Sequence, residues 1–397
     1  MKVLCLGGAG RICREAILDL VQSSDFDRIT VADTDEATGR EVVAWLDDPR
    51  VDFVGANVMD EEATVALMRD YDLVMDGMPI SMNDASAACM AQAGVHGINL
   101  NGMSSEWDLD QAFKACGKTL VPGMGMTPGI TNLMARHAAD QLDQVDSVRC
   151  SHGAFRPIAF SEAIAETTRV EYDPNLTSRV VFEDGQFVQV PPFARPRMIE
   201  LPEPYGTHEQ YIIPHPEPLT LSTSLADKGV RLVEARGTWP PKNMALLKAL
   251  HEWGFLDNTS VSLNGMEVGV LDAIFAHLRQ SEIGTTTELN GYALHVEVEG
   301  RKDDEPVSIV LTHTHPASDG SVADWAGLRA YTRCVGIPLG IGARLLATGQ
   351  ARETGVVPPE LAFDPTDVFE RLAEQQIFVH QKRMPTPAVS SARGRAS

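Results

Sequence analysis

The residues best suited to chemistry in this 397-residue chain begin at Gly7-Gly8-Ala9-Gly10-Arg11-Ile12-Cys13, directly after the apolar run Lys2 to Leu6. Taken from Gly8, the pattern is Gly-x-Gly-x-x-Cys. Gly8 permits a tight turn, and Gly10 lets backbone approach a pyrophosphate. The helix that follows offers amide donors and a favourable dipole. Ala9, Arg11 and Ile12 complete the loop. Cys13 stands where a third glycine would normally allow close helix–strand packing. Asp33 ends the run Val31-Ala32-Asp33, roughly twenty residues past Gly10, the spacing that sets an acid on the adenosine ribose hydroxyls. Its charge repels a 2′-phosphate, so NAD is favoured over NADP. Thr34 follows it. Asn57-Val58, Met78-Pro79 and Asn101-Gly102 stand at the ends of later strands, where a ligand pocket is completed. Each also reads as ordinary loop punctuation.

Proton-transfer groups are fewer. His215 lies in Ile213-Pro214-His215-Pro216-Glu217-Pro218, between prolines that stiffen the chain. Glu217 falls on the same side if the segment is extended. The imidazole could carry a proton and the carboxylate could bind an ammonium group; a surface loop is the other reading. Lys242 follows Trp239-Pro240-Pro241 and opens a helix, where it binds a carboxylate, acts as a desolvated base, or is simply exposed. His96 lies near the end of the fifth strand, within reach of a nicotinamide. Asn132 follows a Pro-Gly turn, where it contacts ligand or caps a helix. His313-Thr314-His315 would set two imidazoles on one face of a strand, but no third ligand is evident, so no metal site is expected.

These residues need elements to hold them. Six apolar runs, Lys2 to Leu6, Arg28 to Ala32, Val51 to Gly55, Asp72 to Met75, Gly97 to Leu100 and Lys118 to Val121, alternate with amphipathic stretches. That alternation predicts a parallel sheet covered on both faces. Beyond about Asp140 the chain carries many prolines and glycines with short β-rich runs. They include Arg179 to Phe182, Phe187 to Val190, Val230 to Arg236, Tyr292 to Glu299 and Val307 to Thr314. A helical pattern returns at Asp324, and Gly355-Val356-Val357-Pro358-Pro359-Glu360 reads as a stop. The expected fold class is α/β. A Rossmann dinucleotide-binding domain spans residues 1–124 plus 323–380. A second α+β domain, on a largely antiparallel sheet, spans 125–322. A disordered tail is expected over 384–397.

The net charge of −22 repels phosphate backbones and anionic membrane surfaces, so neither nucleic acid nor membrane is an expected partner. The six cysteines are scattered without a Cys-x-x-Cys pair, as reduced thiols are. No apolar run has membrane-spanning length, and glycines follow the first strand too soon for a secretory signal. A cytoplasmic protein is expected.

The segment Pro122-Gly123-Met124-Gly125-Met126-Thr127-Pro128-Gly129-Ile130-Thr131-Asn132-Leu133 resembles the signature after the sixth strand of saccharopine dehydrogenase-like reductases. Tyr71 to Asp76, Ala93-Gly94-Val95-His96 and the segment 355–360 resemble that family too. Length and arrangement are most similar to its lysine 6-dehydrogenases. The resemblance implies NAD-dependent oxidation of an amino-acid or amine C–N bond, most like the lysine side-chain amine going to a semialdehyde that cyclises. It also implies a homodimer and favours a function for Lys242. The segment Gly237 to Lys242 departs from the family pattern except at its ends. Imine reduction with condensation, of the saccharopine or carboxynorspermidine type, is the second expectation; a non-catalytic NAD-binding sensor is the third.

Overall fold

The computed structural model describes residues 1–103, 105–257 and 259–385. The six apolar runs form parallel strands: Lys2–Leu6, Arg28–Asp33, Val51–Gly55, Leu73–Asp76, His96–Asn99 and Thr119–Val121. Lys2–Leu6 lies between the second and fourth of them. The strand order therefore reverses there, and a ligand crevice opens beyond the carboxyl ends. Leu73–Asp76 is buried along its whole length, which is why such runs read as continuous rather than alternating. A seventh strand, Gly355–Val356, pairs parallel to Thr119–Val121. The segment expected to act only as a stop thus extends the sheet first, and the prolines at 358 and 359 then end the pairing.

The helix Arg329–Ala347 packs on the helix Cys13–Ser23. Two glycines allow this contact. A Cβ on Gly336 would lie 2.5 Å from the Ile12 carbonyl oxygen, and one on Gly340 would lie 2.9 Å from that of Ala16. Buried acids on the first helix meet arginines of the second, Glu15 with Arg329 at 2.9 Å and Asp19 with Arg344 at 3.1 Å.

The second sheet has nine strands. Its main path runs Arg197–Leu201, Gly206–Ile212, Leu232–Thr238, Gln144–Phe155, Gly291–Lys302, Glu305–Thr314, Phe378–Pro385. Along it only Leu232–Thr238 and Gln144–Phe155 pair in parallel. The largely antiparallel sheet expected from sequence is present. Its central strand, Gln144–Phe155, was not anticipated. A bulge opposite Glu299 and Gly300 shifts the register there, so Val145 and Val148 are both buried and the period-two pattern breaks. Phe378–Pro385 pairs with Glu305–Thr314. Residues 378–380 therefore leave the nucleotide-binding sheet to which 323–380 was assigned, and Met384 and Pro385 are strand rather than tail. The rest of that tail lies outside the described residues. Among the described residues, no helix is long and apolar enough to cross a membrane.

Candidate active site

The glycine loop turns at Gly7, whose φ of 64° lies in the left-handed region. Gly8 serves packing rather than the turn, because a Cβ there would sit 2.8 Å from the Cys5 carbonyl oxygen. Gly10 is exposed, and its N–H donates to the Gly7 carbonyl at 2.9 Å. The Arg14 N–H donates to the Gly10 carbonyl and the Glu15 N–H to the Ile12 carbonyl, each at 3.0 Å, so the loop is tied to the first turn of Cys13–Ser23, whose dipole favours an anion at its amino end. Arg11 is exposed beside them. Cys13 fits because the opposite wall is glycine: a Cβ on Gly77 would come within 2.7 Å of the Cys13 Cβ. Asp33 accepts the Ala9 N–H at 3.1 Å and the Asp35 N–H at 3.1 Å, which fixes its carboxylate beside the loop. Thr34 is exposed next to it. Asn57 accepts the Met59 N–H at 3.1 Å, while Val58 is buried. This loop, open at Gly10 and acidic at Asp33, fits a dinucleotide.

A cavity of about 390 Å³ begins at Ile12, Gly77, Met78, Pro79 and Asn101 and continues into the second sheet. Its far wall includes His152, Arg156, Glu171, His215, Trp239 and Tyr292. Gly102, between the lining residues Asn101 and Met103, takes a left-handed turn, φ 83°, and donates to Glu106 at 2.8 Å. His215 Nδ1 lies 3.1 Å from Glu217 Oε2. Glu217 in turn accepts the hydroxyls of Thr127 at 2.8 Å and Thr131 at 2.7 Å. Those threonines come from the 122–133 segment, which folds back on itself. The Gly125 N–H donates to the Pro128 carbonyl at 2.9 Å, and a Cβ on Gly129 would meet the Gly125 oxygen at 2.3 Å. His215 Nε2 lies 4.0 Å from Glu171 Oε1. Burial disfavours the His215 cation, but the carboxylates of Glu217 and Glu171 outweigh it and hold its pKa above the ordinary value. Burial would raise Glu217, yet His215 and the two threonines bring it down to about 2. His152, stacked on Tyr292 with centroids 5.6 Å apart, is driven by burial down to about 3 and stays neutral. Burial raises Glu171.

A model of the saccharopine dehydrogenase NADP binding domain matches residues 3–121, and one of the saccharopine dehydrogenase C-terminal domain matches residues 125–377. The chain belongs to the saccharopine dehydrogenase family. Its fold is similar to that of saccharopine dehydrogenase (L-Glu forming) from Saccharomyces cerevisiae, with a TM-score of 0.76 and 15% identity over 96% of this chain and 99% of that one. It is also similar to homospermidine synthase from Legionella pneumophila, a structure in complex with NAD, with a TM-score of 0.65 and 11% identity over 100% of this chain and 94% of that one.

In this family member three expected site residues stand elsewhere. His96 opens its strand instead of ending it, so it lies at the amino end of the parallel sheet, away from the crevice. Its Nδ1 accepts the Thr119 N–H at 3.2 Å. Lys242 is exposed on the first turn of the helix Pro241–Glu252 and does not line the cavity. Asn132 is engaged inside the protein. It accepts the Gly129 N–H at 3.0 Å and donates to Thr220 at 3.0 Å and Glu360 at 3.1 Å. His313 and His315 do acquire a third neighbour, Cys334, all within 4.8 Å. However, His313 Nδ1 accepts the Leu294 N–H at 3.2 Å, which puts its proton on Nε2 and leaves no lone pair for a metal. His315 Nε2 is bonded to the Tyr205 hydroxyl at 2.8 Å. His315 is held by Tyr205, Tyr292 and Pro316, while the buried His313 Nε2 has no hydrogen-bond partner among the described residues.

The sequence did not reveal Gly7, His152, Arg156, Glu171, Trp239, Tyr292 or Tyr331 as site residues. The available signals were slight. Arg156 directly follows a buried strand end, and Glu171 sits on the buried face of the helix Glu162–Tyr172.

Proposed function

We propose that this chain is an NAD-dependent dehydrogenase acting on the C–N bond of an amino acid or amine. The observation that carries the reading is the buried His215–Glu217 pair, in a cavity that starts at the nucleotide loop. A side-chain ammonium has a pKa near ~10.4 and must lose a proton before its carbon can yield a hydride. His215 receives that proton at Nε2, while Glu217 fixes the ring through Nδ1 and stabilises the imidazolium. Glu171 offers a carboxylate to the departing ammonium charge. A bound nicotinamide would supply the hydride acceptor. The substrate thus gives up a hydride from carbon and a proton from nitrogen. Water hydrolyses the resulting imine to a carbonyl compound and ammonia. Family resemblance favours the lysine side-chain amine, whose semialdehyde cyclises.

Asp33 supports NAD over NADP, since a carboxylate fixed beside the loop repels a 2′-phosphate. The opposite direction, imine reduction that joins two substrates, is favoured by a cavity of about 390 Å³, larger than one small amine fills. Two copies are proposed to pair through the second sheet, on resemblance. The test of the main reading is absorbance of reduced nicotinamide with basic amino acids. Growth is expected with NAD, at higher kcat/KM than with NADP. Failure to turn over any member of an amine and imine panel, in either direction, would count against catalysis and favour a binding protein.

A further inference from the structure

Several buried polar atoms without a hydrogen-bond partner meet in one place. Asn101 Nδ2, Arg156 Nε, Glu171 Oε2 and Trp239 Nε1 are all unpartnered, and all four residues line the cavity. Buried polar groups are normally satisfied, so such a cluster marks where a ligand supplies the missing partners.

Arg156 is the most informative of them. It is 2% exposed. One Nη donates to the Pro157 carbonyl at 3.3 Å and the other to the Thr168 hydroxyl at 3.2 Å. Its guanidinium carbon lies 5.8 Å from the Tyr331 ring centroid. Among the described residues, no carboxylate forms an ion pair with it. Buried Arg236 is neutralised by Glu234 at 2.7 Å. Arg179, 1% exposed and also without a carboxylate at ion-pair distance among the described residues, donates instead to the Glu171 and Asp173 carbonyls and does not line the cavity. A buried cation without a counter-ion is costly. A planar fork of N–H donors is matched by a carboxylate. On the same cavity, Glu171 and His215 stand ready for an amine.

We propose that Arg156 binds a substrate carboxylate, so that the cavity selects an amino acid over a carboxylate-free amine or polyamine. This rests on reading the cavity as the substrate site. The positive arm (Arg156) and the negative arm (Glu171) together fit a zwitterion.

The test is binding to the NADH-loaded protein, followed by nicotinamide fluorescence. The probes are L-lysine against 1,5-diaminopentane, L-ornithine against 1,4-diaminobutane, and L-norvaline against butylamine. In each pair the second compound is the first without its carboxylate. At least one amino acid should bind about 10- to 100-fold more tightly than its amine, the range of a charge-assisted hydrogen bond. Arg156→Gln should erase that preference while NADH affinity and melting temperature hold. Arg156→Lys should keep part of it. Equal or tighter binding of the amine in every pair would overturn the proposal. So would an undiminished preference in a folded Arg156→Gln protein, or no binding by any probe. Carboxylate-dependent binding without turnover would instead contradict the dehydrogenase reading and leave the Arg156 subsite standing.

Discussion

At His215 the contest between burial and neighbouring charge decides what the ring can do. Burial alone lowers an imidazole pKa, while Glu217 and Glu171 raise it, and the net shift is upward. Replacing Glu217 with glutamine keeps the shape and removes the charge. Burial then prevails, and the His215 pKa falls. We expect Glu217→Gln to move the His215 limb of kcat/KM to lower pH, by about one unit or more, together with a loss of rate. An unmoved limb in the pH–rate profile would show that the pair does not set it. The linkage sign is opposite for the carboxylate itself. Glu217 is depressed from 4.5 to about 2, so it stabilises the fold above 4.5 and that contribution is lost as pH falls toward 2. The melting temperature of Glu217→Gln should accordingly vary less over that acidic range. The His215–Glu217 pairing was legible because the two residues are neighbours, but not as an extended segment: Pro216 is helical (φ −75°, ψ −17°) and Glu217 opens the helix Glu217–Ser224. Lys242 was misplaced because nothing local says which way a helix start faces, whereas His96 precedes the run Gly97 to Leu100, so its place at the amino end of the strand was legible and was misread.

The nucleotide loop shows how one element completes another. Cys13 looks like a defect in the glycine motif, yet the missing room comes from Gly77 across the crevice, where a Cβ would approach Cys13 to 2.7 Å. Gly77→Ala should therefore destabilise the protein by about 1–3 kcal/mol through overpacking and weaken NADH binding. Adding Cys13→Gly to Gly77→Ala should recover most of both losses. Denaturant unfolding and NADH titration of the two single variants and the double variant read this coupling, and strictly additive effects would refute it. The six nucleotide-sheet strands were legible because each is a continuous apolar run between helical patterns. The central strand Gln144–Phe155 was hidden by its bulge. The terminal strand Phe378–Pro385 was hidden because its last residues adjoin a stretch of tail-like composition.

Across the whole molecule, the cavity exists because two sheets meet there. Ile12 and Met78 come from loops beyond strands of one, His152 and Tyr292 from strands of the other, Glu171 from the helix Glu162–Tyr172, and Tyr331 from the helix that packs on Cys13–Ser23. The nucleotide half was readable because its elements follow one another in space as in sequence. The substrate half assembles residues from 152 to 331, and no motif spans that distance. The central claim is that His215 carries the proton in a nicotinamide-linked reaction at this junction. It is tested most directly by the rate of reduced-nicotinamide formation in wild type and His215→Asn, using the best amine substrate with NAD. The variant should lose about 10²- to 10⁴-fold in kcat and bind NADH as tightly as wild type. A variant that turns over at the wild-type rate would contradict the account.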